Sequence, residues 1–411
     1  MPLRDILRVL RGSIRKGINH EDTKGAQRTQ RGMFIYFLMK EKSISNYHDL
    51  HVVIKTQPDK SLISHLKKTI LGTPGGLRYK HTAQELKLKY AGETYFMLLY
   101  KMTRMLGSVG FCLRETFKVS VPEKAWYIRY FAIHAPLRTN KHKTKTEKSL
   151  KDRGAGILKS VALPYFDNPD LLQDPTGRTT SRSIIYSYID AGNPRSLEFS
   201  HQMGFERVRM LRTVIYTRFR PKKFSFVKRI TEPEKSDVKR RLAEFYQEYT
   251  MFHDRYIFIN DNYYVVYENG EMVAGLQANP ETWQIVEMEG ISGKLVTKIL
   301  PLIPGMRKYL NPDNFNFLGV EGIWYNEGKE HYIADIIETV LSENNLHFAL
   351  TWLDPGSMVL KDLENAGRKG KLSRAVNTGD GEIHIKFVSF SEDEKMEYYN
   401  KPAYLSAFDM T

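Results

Sequence analysis

One cysteine, Cys112, stands among 411 residues. That excludes an intrachain disulfide framework and a cysteine-based zinc site, and it fits a reducing compartment. The histidines are scattered without paired ligand spacing, so no metal is expected. No apolar run approaches the roughly 20 residues of a membrane span. Arginine interrupts residues 1–16 every few positions, which removes the apolar core a signal peptide needs. A cytoplasmic location is expected on these grounds. Zinc-finger spacing, an RNA-binding aromatic signature and a clear helix-turn-helix are also missing, which disfavours nucleic acid as the partner. The net charge of +15 nonetheless implies attraction to some anion, nucleic acid and a phosphorylated cofactor included.

What is present is a folding composition, 41% hydrophobic and 27% charged, long enough for about two domains. Residues 1–45 form a basic extension, helical in part: Leu3, Ile6, Leu7, Leu10 and Ile14 recur at helical spacing between arginines. Residues 46–222 then read as an ordered series. D-L-H-V-V-I-K-T is a strand, Ser61 to Ile70 a helix, and Y-F-M-L-L-Y-K-M with L-G-S-V-G-F-C-L-R-E a strand pair. Ala125 to Ala135 is a further strand. A lysine-dense loop follows, then K-D-R-G-A-G-I-L-K-S-V, a helix to Phe166, the strand S-I-I-Y-S-Y-I-D and a helix capped at Asn193. Pro194 suits its first turn and Gly204 its exit.

Residues 223–411 run in a similar order. E-N-G turns a hairpin, F-N-F-L-G-V-E-G-I-W-Y is a strand, and His331 to Glu343 is an amphipathic helix. A strand then meets D-P-G-S-M, as the first half's strand meets N-P-R-S-L. Ser196 and Ser357 sit at equal offsets, and Asn193 and Asp354 are both suited to capping. Two copies of one α/β (α+β) unit is the simplest account.

Residues 46–222 resemble the GNAT acyl-CoA transferase superfamily. Lys151, Gly154 and Gly156 fall on its R/Q-x-x-G-x-G/A loop before a helix, and Asn193 lies eleven residues before Gly204-Phe205, the spacing of its N…Y…G-F segment. The resemblance implies two tandem domains, each a mixed, mostly antiparallel twisted sheet flanked by helices. It implies acetyl-CoA or another acyl-CoA as cofactor and a small-molecule or peptide amine as acceptor. Lys151, Arg153, Gly154, Ala155 and Gly156 would cradle the pyrophosphate, where a helix N-terminus offers unpaired N–H groups and positive dipole. Ile133 and Ala135 would polarise the thioester, and Asn193 and Phe199 would lie beside the coenzyme.

Two departures touch the chemistry. Where the family often has a tyrosine acid this chain has Ser200, and the strand before the loop holds no carboxylate, leaving His134 as the candidate base. Cys112 reads as a buried strand residue and not a nucleophile. The second copy carries Glu327 and Glu330 around Gly328 where the cradle would be, so it reads as degenerate. Glu321 fits a sheet surface better than a pocket. The leading expectation is an acyl-CoA-dependent N-acyltransferase, with a homodimer left open. An aminoacyl-tRNA-dependent transferase of the Fem type and a non-catalytic coenzyme-binding protein are the alternatives.

Overall fold

The computed structural model describes residues 41–47, 50–73, 76–133, 160–288, 309, 311–370 and 380–411. Strands β1 (Glu41–Tyr47) and β2 (Leu50–Lys55) open the chain, followed by helix α1 (Lys60–Lys68), β3 (Leu77–His81) and α2 (Gln84–Tyr90). Then come β4 (Thr94–Lys101), β5 (Arg104–Lys118) and β6 (Val121–Ile133), the helix α3 over residues 160–167, β7 (Ser183–Asp190), α4 (Pro194–Gln202) and β8 (Glu206–Thr217). The second half supplies β9 (Val227–Arg229), α5 (Lys235–Phe245), β10 (Thr250–Phe252), β11 (Tyr263–Glu268), β12 (Glu271–Met288) and β13 (Phe315–Tyr325). It closes with α6 (His331–Glu343), β14 (Phe348–Leu353), α7 (Met358–Asn365), β15 (Gly381–Val388), α8 (Glu392–Asn400) and α9 (Ala407–Met410).

The strands join one mixed, mostly antiparallel sheet in the order β1-β2-β4-β5-β6-β7-β15-β8-β14-β13-β12-β11-β9, with β10 on β5 and β3 on β12. Among the described strands two pairs are parallel, β6 with β7 and β13 with β14. Parallel neighbours need a crossover, which α3 and α6 occupy. The order shows an exchange. β15, from the end of the chain, lies between β7 and β8, and β8 pairs with β14. Each half thus completes its sheet with a strand of the other.

The local chemistry explains the helix that follows β7. The Asn193 side chain accepts from Ser196 N, and Pro194 stands where no helical N–H is needed. Gly204 leaves at φ +81 while Phe205 N donates to Ser200 O at 3.1 Å, closing the last turn. In the second half the cap has shifted: Ser357, not Asp354, accepts from Leu360 N. Asp354 instead pairs with Arg209 and accepts from Ala403 N at 2.9 Å.

Both faces of the sheet are packed. On one, Phe111, Trp126 and Ile185 meet Ala162 and Phe166 from α3 and Phe205 from the turn after α4. On the other, Cys112, Tyr127, Tyr130 and Tyr186 meet Leu62, Leu88 and Ala407. Cys112 is fully buried, as its strand position predicts. Among the described residues no helix is long and apolar enough to cross a membrane, and no side-chain cluster is arranged to hold a metal.

Candidate functional site

Two strands part at the centre of the first half. β6 and β7 pair over Ala125↔Ile184, Trp126↔Ile185 and Tyr127↔Tyr186, and no further. Just beyond, β6 bulges. Ser108 pairs with Ala132 and Gly110 with Arg129, so Tyr130 and Phe131 together oppose Val109. Tyr130 takes φ +57, and Ser108 Oγ holds its carbonyl at 2.8 Å. Among the described residues the β6 backbone has no ladder partner on the β7 side beyond Tyr127, so the two strands open apart there. Phe131 stacks on Phe199 of α4 across that opening, with ring centres 5.1 Å apart.

The second half repeats the geometry and then fills it. β13 and β14 pair only at Leu318↔Ala349 and Gly319↔Leu350, and β13 bulges at Gly322, also at φ +57. Here Ala403, Tyr404 and Leu405 pass across the parted strands, each less than one-tenth exposed. Tyr404 N donates to Thr250 O at 2.9 Å, and the remaining void is ≈ 20 Å³. The loop after β13 is short, with Glu327 and Gly328 exposed.

Between the halves lies a buried ionic cluster. Arg114 forms a two-armed pair with Asp409, its second arm at 2.7 Å, and donates to Tyr186 and Tyr256 hydroxyls at 3.0 and 2.9 Å. Arg129 reaches Asp409 at 3.3 Å, Phe408 O at 3.1 Å and Thr411 O at 3.0 Å. Burial alone would raise the Asp409 carboxyl, but Arg114 and then Arg129 outweigh it and hold it below the ordinary range. Glu321 accepts from Gln277 at 2.8 Å and from Ser406, and burial pushes it up to about 7. Its expected place on a sheet surface is therefore wrong: it is 4% exposed, because the C-terminal segment covers that face. Beside the cluster, a cavity of ≈ 100 Å³ is lined by Lys87, Glu281, Asn279, Tyr90 and Phe408.

The sequence-predicted site residues fall into two groups. His134, Ala135, Lys151, Arg153, Gly154, Ala155 and Gly156 lie outside the described residues. Ile133 ends β6 and pairs with Gly107. Asn193 caps α4 and Phe199 bridges the parted strands. Ser200 is 5% exposed and shares a hydrogen bond with His384 Nδ1 of β15 at 3.1 Å; His384 Nε2 meets Glu382 Oε2 at 2.8 Å. Sequence reasoning missed Arg114, Arg129, Asp409, His384 and Glu382. For the arginines a signal existed: each interrupts an apolar, β-branched and aromatic strand, F-C-L-R-E and W-Y-I-R-Y.

No protein-family model matches the chain, and no match is found among curated proteins. Among solved structures, a GCN5-related N-acetyltransferase from Sphaerobacter thermophilus aligns at 10% identity over 71% of this chain and 80% of that one, with a TM-score of 0.40. Saccharomyces cerevisiae N-myristoyltransferase with bound myristoyl-CoA aligns at 8% identity, covering 86% of this chain and 88% of that one, with a TM-score of 0.54. A second structure of that yeast enzyme, with myristoyl-CoA and inhibitors, aligns at 8% identity over 86% and 85% with a TM-score of 0.52. At such identity the likeness speaks for the fold alone: one mixed, mostly antiparallel sheet with two parted parallel pairs, in the fold of the yeast N-myristoyltransferase structures.

Proposed function

We propose that this protein transfers an acyl group from coenzyme A directly to an amine. The carrying observation is the bulged β6 parting from β7 with α3 and α4 on one face. An extended thioester arm entering there finds unpaired strand backbone to hydrogen-bond, and the strand's N–H groups around Ile133 to Ala135 would polarise the carbonyl. The pyrophosphate would rest on Lys151 to Gly156, ahead of α3. The amine would attack from the opposite face, where Arg129 and the ionic cluster lie. Its nitrogen bonds to the carbonyl carbon, the carbon–sulfur bond breaks, and the thiolate takes up a proton. Ser200 is the proposed donor of that proton and His134 the proposed acceptor of the amine's.

The acetyl group is the proposed cargo. Residues 46–222 and 223–411 are proposed as two copies of one unit. The second is proposed to bind no coenzyme, since Ala403 to Leu405 occupy its opening and Glu327 and Glu330 would repel phosphate.

The test is the thermal midpoint of the purified protein with acetyl-CoA, myristoyl-CoA, free CoA and ATP. Ligand at about 100 times its dissociation constant adds roughly 2.7 kcal/mol, a shift of a few degrees. A shift with CoA species larger than with ATP supports the reading, and the larger acyl-CoA response reports chain length. No shift with any CoA species would overturn it.

A further inference from the structure

We infer that His384 and Glu382, from the last strand of the second half, are positioning residues that supply Ser200 with the proton for the leaving sulfur. The inference rests on the acyl-CoA reading of the opening between β6 and β7. Three observations carry it. His384 pairs with Ser187, the first β7 residue past the last β6–β7 pair, level with the parting but on the edge of β7 away from β6. Phe199, next to Ser200, touches Phe131 across that opening. And Ser200, His384 and Glu382 form an unbroken hydrogen-bonded chain, at 3.1 and 2.8 Å, whose first two members are 5% and 6% exposed.

The charges around the ring suit a proton store. Glu382 faces Nε2 and is itself paired with the exposed Arg207 of β8 at 3.2 Å. Lys386, two residues along β15, is turned to Met203 O and Asp167. From α4 the ring meets an uncharged hydroxyl. With both ring nitrogens protonated, Nε2–H donates to Glu382 and Nδ1–H to Ser200 Oγ, which leaves the serine O–H free to donate elsewhere. When the carbon–sulfur bond breaks, the sulfur keeps the electron pair and takes the Ser200 proton. Nδ1–H replaces it on Oγ. His384 is left neutral and regains its proton from solvent. A serine is a poor acid alone; a serine backed by a cationic imidazole need not hold the negative charge. The tandem architecture is then part of the chemistry, because the exchanged strand β15 brings the histidine to the first half's site.

Free CoA tests this without a known acceptor. Its binding to wild type, Ser200→Ala, Ser200→Thr, His384→Gln and Glu382→Gln is measured first by calorimetry. The pH midpoint of the bound thiol is then read from its alkylation rate by iodoacetamide, the protein's one cysteine being buried. The expected result is a midpoint below that of free CoA in wild type, since a donor beside the sulfur favours the thiolate. It should rise by about one unit, a tenfold change, in Ser200→Ala and His384→Gln, with the Thr variant restoring it and Glu382→Gln intermediate. If the variants bind CoA and their midpoints equal wild type, the relay is wrong while the acyl-CoA reading stands. If wild type binds no CoA, both fall.

Discussion

Arg129 and Glu321 hold equivalent places in the two halves. Each stands two residues beyond the last parallel pair, at Tyr127 and Gly319, and each immediately precedes a bulged residue at φ +57. Both turn to the same C-terminal segment: Arg129 to Asp409, Glu321 to Ser406. An arginine and a buried glutamic acid at matched positions thus anchor one short segment between the halves.

Asp409 is the member of this set with two cationic partners. Asp409→Asn leaves Arg114 and Arg129 buried without a counter-charge, at a cost of about 3–5 kcal/mol. Denaturant unfolding measures it. The same carboxylate contributes to acid sensitivity. Held below its ordinary 3.8, it is ionised in the folded protein where the unfolded chain has begun to protonate. Its contribution is complete above about pH 4 and is lost as the pH falls through the lowered value.

Glu321 has the opposite sign. Burial raises it from 4.5 to about 7, against the lowering effects of Ser406 and Gln277. Between those values the native state keeps a proton that the unfolded chain has lost, so stability declines as pH rises across the window. The decline is at most about 3 kcal/mol. Glu321→Gln should remove it. Urea midpoints at about pH 5 and about pH 8, compared between wild type and variant, test this; an unchanged slope counts against the assignment.

Gly322 and Gly328 separate strain from crowding. Both have positive φ, +57 and +73, but an added Cβ at Gly322 would lie 2.7 Å from Ile257 Cδ1 while at Gly328 it meets open space. Gly328→Ala should cost about 1 kcal/mol, the backbone penalty alone. Gly322→Ala should cost about 2–4 kcal/mol, adding displacement of a packed side chain. Equal losses of thermal midpoint would contradict the bulge geometry.

Gly154→Asp addresses the proposed cradle. A side chain and a negative charge there should weaken acyl-CoA binding at least tenfold, roughly 1.4 kcal/mol, with the fold retained. Calorimetry on the folded variant checks it, and unaltered affinity would remove the cradle from the site.

Much of the fold was written in local patterns. The β-branched and aromatic runs became β4, β5, β6, β7, β13 and β14, and N-P-R-S-L became a helix capped at Asn193, because periodicity and capping act over a few residues. The matching order of the two halves was legible for the same reason. The cap in D-P-G-S-M was misread: Asp354 had a stronger partner in Arg209, contributed by the exchanged strand β8.

By itself, then, the sequence determined many of the strands and helices, with β1, β3, α2, α5 and α8 not among them, and it placed Cys112 inside. Only the tertiary structure decided that β15 enters the first half's sheet, that Ala403 to Leu405 close the second opening, and that His384 stands behind Ser200. These depend on pairings between residues far apart in the chain, 184 positions for Ser200 and His384. No local propensity encodes such a partner; burial and hydrogen bonding select it once the whole sheet is assembled.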